Sequence, residues 1–382
     1  MTALPRIAVA IRSIGFGDGV GGMERAGADH IRALAEAGVT VDLYTPRASL
    51  DDAPRGVHVH DVPWPTWAAT RGPLFSAAYT QWVRRLGRAL QTSEADIAHL
   101  HGGAVGALFT ADGSSIGRPA VTNPHGMEEY GDASSLRRLS RLPIRRLSQR
   151  SINASAVIAT DRSLVTAVEH NLGVDRRRIH VIPNSVDVDK LRSLATLTQG
   201  NGFSIVTVGR VVHNKGYDLL ITALATIARD LPAGWQWHHY GSGPESASLQ
   251  SAAHQHSVPL HLHPGRSDAE VQSAIAASDL FVQPSRYEGS SLTTLEAMAQ
   301  GCLIVGTRVG GIPDKIDDGV TGFLAEPDAA DIAVAIGRAL SSDGITIRHA
   351  AAARVRAEFS IAATTQRYIE LYQLLCSNPG LS

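Results

Sequence analysis

Cysteine is almost missing from this chain. Cys302 and Cys376 are its two examples in 382 residues, too few for a disulfide framework and in keeping with a reducing compartment. Lysine is nearly as scarce: Lys190, Lys215 and Lys315 are the only three among 35 basic residues, so positive charge is almost wholly arginine. No stretch approaches the roughly 20 apolar residues of a membrane span. The apolar run in MTALPRIAVAIRSIGFG is too short and too soon interrupted for a secretion signal. Charge of one sign is not in excess either; a net charge of −1 offers no footprint for nucleic acid. Short repeats and low-complexity tracts are also absent. These absences leave a cytosolic enzyme as the expectation. With 44% hydrophobic and 19% charged residues, the length fits two domains of about 150 to 200 residues each.

What is present is alternation. Short β-rich runs at 6–11, 39–45, 95–102, 119–126, 156–161 and 179–184 are separated by amphipathic segments of helical length. After a looser stretch the rhythm restarts with runs at 203–210, 234–243, 259–265, 279–285, 302–311 and 322–327. The pattern predicts an α/β protein with two doubly wound halves joined near residues 186–202. Ligands of such sheets bind beyond the carboxyl ends of the strands, which directs attention to the loops that follow them.

Three of those loops carry chemistry. SIGFGDGVGGMER, residues 13–25, holds five glycines before a helix, which permits close backbone approach to an anion or a sugar. A nicotinamide fingerprint is the competing reading, but it requires a tight turn and an acidic residue closing the second strand, where this chain has Thr45-Pro46. A plain surface loop is a third. In SRYEGSSLTTLEAMAQG, residues 285–301, the leucine spacing starts a helix at about Ser290 or Ser291. Glu288 then lies in the strand-to-helix loop. The amides of Ser290, Ser291 and Leu292 are expected unpaired at the helix start, a seat for phosphate or sugar oxygens. Glu296, one to two turns in, suits a vicinal diol; the same spacing also fits a surface glutamate favoured by the helix dipole. In GRVVHNKGYDLL, Arg210 and Lys215 share one loop and are placed to neutralise a diphosphate, unless they are two solvated charges. The HLH at 99–101 has the spacing of a metal pair, yet no carboxylate or cysteine cluster stands beside it, so no metal is expected.

Taken together, GRVVHNKGYDLL, YGSGPE, EGSSLTTLEAMAQG and VGGIPDKIDDGVTGFL resemble the C-terminal half of retaining GT-B glycosyltransferases of family 4. GGMER, DIAHLHG, NPHG and IPNSVD resemble that family's N-terminal half, in order. The resemblance implies two Rossmann-like domains facing across a cleft: an acceptor-binding domain at 1–187, a donor-binding domain at 188–358, and a final helix at 359–382 that crosses back onto the first domain. It implies that Arg210 and Lys215 hold the donor diphosphate and stabilise the leaving group. Glu296 would bind the ribose, while Glu288 contacts the donor sugar with help from the amides of Ser290, Ser291 and Leu292. Gly21 and Gly22 would bring amides to the diphosphate, Gly265 and Arg266 would receive the base, and His125 would touch the transferred sugar. Gly241 and Gly243 look structural. The two glutamates are not the nucleophile pair of a retaining glycosidase; the family picture is front-face attack, with the departing phosphate oxygen taking the acceptor's proton. No cofactor is implied beyond the nucleotide sugar, UDP- or GDP-linked first. Ser290 and Ser291 depart from the aromatic-glycine pair common in the family, which bears on the identity of the sugar.

The acceptor side is read from charge. Between residues 134 and 150, Arg137, Arg138, Arg141, Arg145, Arg146 and Arg150 stand without an acidic neighbour, and Leu136, Leu139 and Leu147 are candidates for an apolar side. Arg84, Arg85 and Arg88 form a second cluster. Such a segment can grip a phosphorylated acceptor or dock on the anionic inner face of a membrane; Pro143 interrupts it, and a solvated face is the alternative. The expected activity is transfer of a hexose-type sugar to a sugar, polyol or lipid-linked acceptor, with α-linkage, in bacterial glycolipid, polysaccharide or glycoconjugate synthesis. A sugar-nucleotide epimerase of the same architecture and a non-catalytic sugar-nucleotide-binding protein are the alternatives.

Overall fold

A strand buried on both faces is apolar along its whole length, and most of the strand runs in this chain are of that kind. In the computed structural model, which describes residues 4–14, 22–46, 53–68, 74–108, 115–125, 145–195 and 202–378, they assemble into two all-parallel sheets. The first contains β1 (Ile7–Ala10), β2 (Val41–Thr45), β3 (Val57–Asp61), β4 (Ile97–His101), β5 (Ala120–Asn123), β6 (Ala156–Ala159) and β7 (Ile179–Val181), in the order β3-β2-β1-β4-β5-β6-β7. Helices α1 (Gly22–Glu36), α2 (Phe75–Gln91) and α3 (Arg162–Leu172) belong to the same unit. The second contains β8 (Ser204–Val208), β9 (Gln236–Tyr240), β10 (Leu260–His263), β11 (Leu280–Gln283), β12 (Leu303–Thr307) and β13 (Phe323–Ala325), in the order β10-β9-β8-β11-β12-β13. With it go α4 (Val188–Leu194), α5 (Tyr217–Thr226), α6 (Ser246–Gln255), α7 (Asp268–Ala276), α8 (Leu292–Ala299), α9 (Ala329–Leu340) and α10 (Gly344–Arg354).

All twelve runs anticipated as strands are strands. β3 was not anticipated. Its VHVHD sequence alternates valine with histidine, and it pairs only with β2, from Val41↔Val57 to Thr45↔Asp61. An edge strand has a neighbour on one side and solvent on the other, so it lacks the continuous apolar signature by which its partners were found.

The chain folds as two compact units, residues 1–183 with 364–382, and residues 184–363. The last helix, α11 (Ile361–Ser377), gives most of its length to the first unit. Its Ile369, Leu371 and Leu375 join the core formed by Ile7, Val9, Ile97, Val121 and Ile158. Burying side chains of this size contributes about 1.5 to 3 kcal/mol each.

The same interface has a polar seam. Strand alternation puts Ile97, His99 and His101 on one face of β4. Helical spacing puts Tyr368 and Tyr372 on one face of α11. His99 Nδ1 lies 2.7 Å and His30 Nε2 3.2 Å from the Tyr372 hydroxyl. His99 and His101 stack at 4.3 Å. Burial lowers the affinity of these rings for protons: His30 falls to about 3, His125 to about 4, and His99 and His101 well below the ordinary range.

The sign of the consequence follows. The unfolded chain takes up protons on these histidines as pH falls through about 6.5, while the folded chain does not until far lower pH. Stability therefore drops between about pH 6.5 and 4, by about 1.4 kcal/mol per pH unit for each neutral-buried histidine. Denaturant unfolding of His99→Gln measured at pH 6 and pH 5 is expected to show a slope reduced by about one such increment relative to the unmodified chain. Equal slopes would contradict the neutral burial of His99.

Candidate active site

In the second sheet the winding reverses between β8 and β11, so the loops leaving these two adjacent strands diverge and frame a crevice. The loop after β8 carries Arg210 and Lys215, and the loop after β11 carries Glu288. Lys215 Nζ donates to Glu288 Oε2 at 2.6 Å. Ser285 Oγ donates to the same oxygen at 3.0 Å and Gln283 Nε2 at 3.2 Å. Three donors thus hold one carboxylate oxygen, while Oε1 has no partner among the described residues. Backbone ties keep the two loops in register, since the amides of Arg286 and Tyr287 both donate to Asn214 O, at 2.9 and 3.2 Å. Arg286 also makes a two-pronged pair with Asp218, both bonds 2.6 Å. Arg210 is exposed and its guanidinium has no partner among the described residues. Lys215 keeps two of its three ammonium hydrogens for other acceptors, so this corner offers an anion two cations, beside one carboxylate oriented to accept.

The network runs on into the helix start. Gln283 Oε1 accepts from Thr293 Oγ1 at 3.0 Å. Ser291 caps α8, its Oγ accepting from the Thr294 amide at 3.4 Å. Of the three amides expected to be unpaired, Ser291's is already committed to Gly289 O at 3.1 Å. A tight turn centred on Ser290 uses that donor and leaves the amides of Ser290 and Leu292. Glu296 is only 5% exposed, so it is no surface glutamate; Gln272 Nε2 donates to its Oε2 at 3.1 Å. Gly265, at φ +64°, closes β10 in a left-handed turn. Arg266 pairs with Glu270 at 3.0 Å across the capping box of α7.

Several participants were missed from sequence. Gln283 and Ser285 were read only as a strand end, although a glutamine inside the apolar run DLFVQPS is itself a signal. Lys315 is another: it is 1% exposed and donates to Gly311 O at 3.0 Å and Ser290 Oγ at 3.3 Å, joining the loop after β12 to the Glu288 loop. A Cβ on Gly310 would overlap the Glu288 carbonyl oxygen, so only glycine lets these loops touch. Gly241 and Gly243 likewise lie against the carbonyls of Gly209 and Val211.

In the first unit His125 follows β5 with φ +57°, left-handed and uncommon for a residue with a side chain. Its amide donates to Asn123 Oδ1 at 3.0 Å, and its Nε2 lies 3.1 Å from His101 Nδ1. Gly22 opens α1, whereas Gly21 falls outside the described residues. Arg137, Arg138 and Arg141 also fall outside them. Arg145 is half-buried and Arg146 exposed. The apolar side expected there is not formed by Leu147, which turns inward against Val83 and Gly106 as part of the core. Arg150 is likewise engaged, donating to the Gly106 carbonyl. Among the described residues no group of three or more His, Cys, Asp or Glu is placed to hold a metal ion.

Residues 20–190 match the model of glycosyltransferase family 4, and residues 202–342 match that of the glycosyl transferases group 1. Between them the two models take in every strand but β1. The chain belongs to the group 1, family 4 glycosyltransferases, which are transferase enzymes. This glycosyltransferase is 27% identical to the D-inositol 3-phosphate glycosyltransferase of Segniliparus rotundus over 342 residues, 82% of this chain and 74% of the relative. It is 30% identical to a phosphatidylinositol N-acetylglucosaminyltransferase component of Arabidopsis thaliana over 171 residues. That match takes in 44% of this chain and spans only 38% of the plant protein. Its fold is similar to that of Anabaena HepE in complex with UDP and glucose, with a TM-score of 0.72 at 21% identity, covering 97% of this chain and 100% of that one. The glycosyltransferase thus has the two-domain, Rossmann-like GT-B fold.

The loop packing makes a prediction. Gly216 sits at φ +68° in the turn that starts α5, and a Cβ there would overlap the Pro284 carbonyl oxygen. Gly216→Ala is expected to cost at least about 2 kcal/mol, from left-handed strain together with the clash, measured by urea unfolding. A loss below about 0.5 kcal/mol, the range of a neutral surface change, would contradict this packing.

Proposed function

We propose that this glycosyltransferase moves a hexose-type sugar from a nucleoside-diphosphate donor to an acceptor hydroxyl, with retention of configuration. The observation that carries the reading is the Lys215–Glu288 contact, 2.6 Å long, at the point where the second sheet reverses its winding. Arg210 and Lys215 take the diphosphate. As the bond between the anomeric carbon and the phosphate oxygen breaks, negative charge grows on that oxygen and the two cations stabilise it. The acceptor oxygen bonds to the same face of the carbon, and its proton passes to the departing phosphate oxygen. Glu288, held through Oε2, offers Oε1 to hydroxyls of the sugar. A carboxylate so employed is not a nucleophile, which is consistent with front-face attack rather than a covalent intermediate. The amides of Ser290 and Leu292 add donors, Glu296 takes the ribose, and Gly265 with Arg266 receives the base. His125 contacts the transferred sugar, and Gly22 with Gly21 brings amides to the diphosphate.

Anabaena HepE, crystallised with UDP and glucose, supports a UDP-sugar as the first donor to try. The relatives named for inositol phosphate and phosphatidylinositol substrates make a phosphorylated or lipid-linked polyol the first acceptor class. Arg84 and Arg88 on α2 and Arg146 are exposed and favour an anionic acceptor or the anionic face of a membrane. The inward turn of Leu147 weighs against an apolar docking face. Among the described residues no helix is long and apolar enough to cross a membrane.

Nucleoside diphosphate release is the test, across UDP-, GDP-, ADP- and dTDP-sugars with candidate acceptors. One donor is expected to be turned over. Lys215→Ala and Glu288→Ala should each lower kcat by roughly 100-fold or more. Turnover unaffected by both changes would refute these roles, and conversion of a nucleotide sugar without transfer would point to the epimerase.

A further inference from the structure

Two neutral imidazoles in contact share one proton, and where it resides is settled by what surrounds the other nitrogens. His101 Nδ1 and His125 Nε2 are 3.1 Å apart, their rings stacked at 5.2 Å. His101 Nε2 is buried without a hydrogen-bond partner. Were His101 protonated there, an unpaired N–H would lie in the interior, and orphaned buried N–H groups are rarer than under-satisfied acceptors. Protonation at Nδ1 avoids this and donates to His125 Nε2. His99 faces the same choice, with a buried, unpartnered Nε2 and Nδ1 against the Tyr372 hydroxyl at 2.7 Å. The same answer gives a directed chain in which His99 Nδ1–H donates to Tyr372, whose own hydroxyl donates to His30 Nε2 at 3.2 Å.

We infer that His101 is a positioning residue that fixes His125 in the Nδ1–H tautomer, so that His125 presents one hydrogen-bond donor and keeps Nε2 engaged. The backbone of His125 is held as well. Its amide donates to Asn123 Oδ1, at the end of β5. Ring and backbone are thus set by β4 and β5 together. The catalytic consequence rests on the proposed contact of His125 with the transferred sugar: the ring donates from Nδ1 to an oxygen of that sugar and does not act as a base through Nε2.

The experiment uses the full chain labelled with 15N-histidine, with His125 assigned from the signals lost in His125→Asn. Long-range proton–nitrogen correlations at pH 7 are expected to show His125 protonated at Nδ1 and bare at Nε2. In His101→Leu the His125 signals should shift toward a mixture of tautomers. Its kcat should fall roughly tenfold, less than the loss from removing a transition-state donor outright, with the donor KM within about twofold. His101→Asn, whose side-chain NH2 can stand near the former Nδ1 and donate to His125 Nε2, should keep His125 protonated at Nδ1 and recover most of kcat; its spectrum reads that directly. His125 protonated at Nε2 in the unmodified chain overturns the inference, and that spectrum decides even if His101→Leu does not fold. An unchanged tautomer in a folded His101→Leu overturns it too. The expected tautomer shift with no change of kcat in either His101→Leu or His125→Asn would uphold the positioning role while refuting the contact of His125 with the sugar.

Discussion

A parallel strand can be reached only through a crossover, and crossovers of one hand carry successive strands outward in one direction until the chain returns to the start and builds the other way. At that reversal two neighbouring strands send their loops apart, leaving a crevice that no helix covers. In the second unit this constraint falls between β8 and β11. It is why Lys215 and Glu288, far apart in sequence, can meet at 2.6 Å. Other features of the site follow from that topology: the carboxylate is held through one oxygen, Arg210 and Lys215 share the loop after β8, and α8 starts directly after the Glu288 loop.

The loops around that crevice are held by backbone as much as by side chains. Asn214 O receives two amides from the loop after β11, and Gly311 N donates to Gly289 O at 3.2 Å. Contacts this close exclude a Cβ, and glycine stands at Gly216 and Gly310 where carbonyls of the neighbouring loop lie against it. Lys215 and Glu288 are both largely buried, with 21% and 12% side-chain exposure. Desolvating such a pair costs free energy that the direct contact offsets only with good geometry. The additional donors from Ser285 and Gln283 supply that geometry, which fits an arrangement maintained for binding rather than for stability.

The first unit solves a different problem. Its C-terminal helix docks through an apolar stripe, but the polar seam of His30, His99, His101, Tyr368 and Tyr372 runs through the same interface. Buried polar groups are costly unless partnered, and here their mutual contacts confine the rings to few protonation patterns. The seam ends at His125, whose left-handed backbone is held by Asn123. Docking of the last helix and the orientation of the His125 ring are thereby linked through the Tyr372–His99 hydrogen bond, the stacked His99 and His101 rings and the His101–His125 contact.

The sequence by itself determined the alternation of strands and helices, because strands covered on both faces must be apolar along their length and helices covered on one face must show a repeat. It also placed Arg210, Lys215, Glu288, Glu296 and His125 after or near strand ends, since loops carry the polar residues the strands exclude. It could not find β3, whose edge position removes the apolar signal, nor assign Gln283 and Ser285 a role, because a polar residue ending a strand looks alike whether or not a carboxylate lies across from it. Only the tertiary structure decided that Glu296 is buried, that Leu147 points inward, that the Ser291 amide is already bonded, and that His101 faces His125. These are pairings between segments distant along the chain, set by sheet order and register, and local sequence carries no record of which neighbour a side chain will meet.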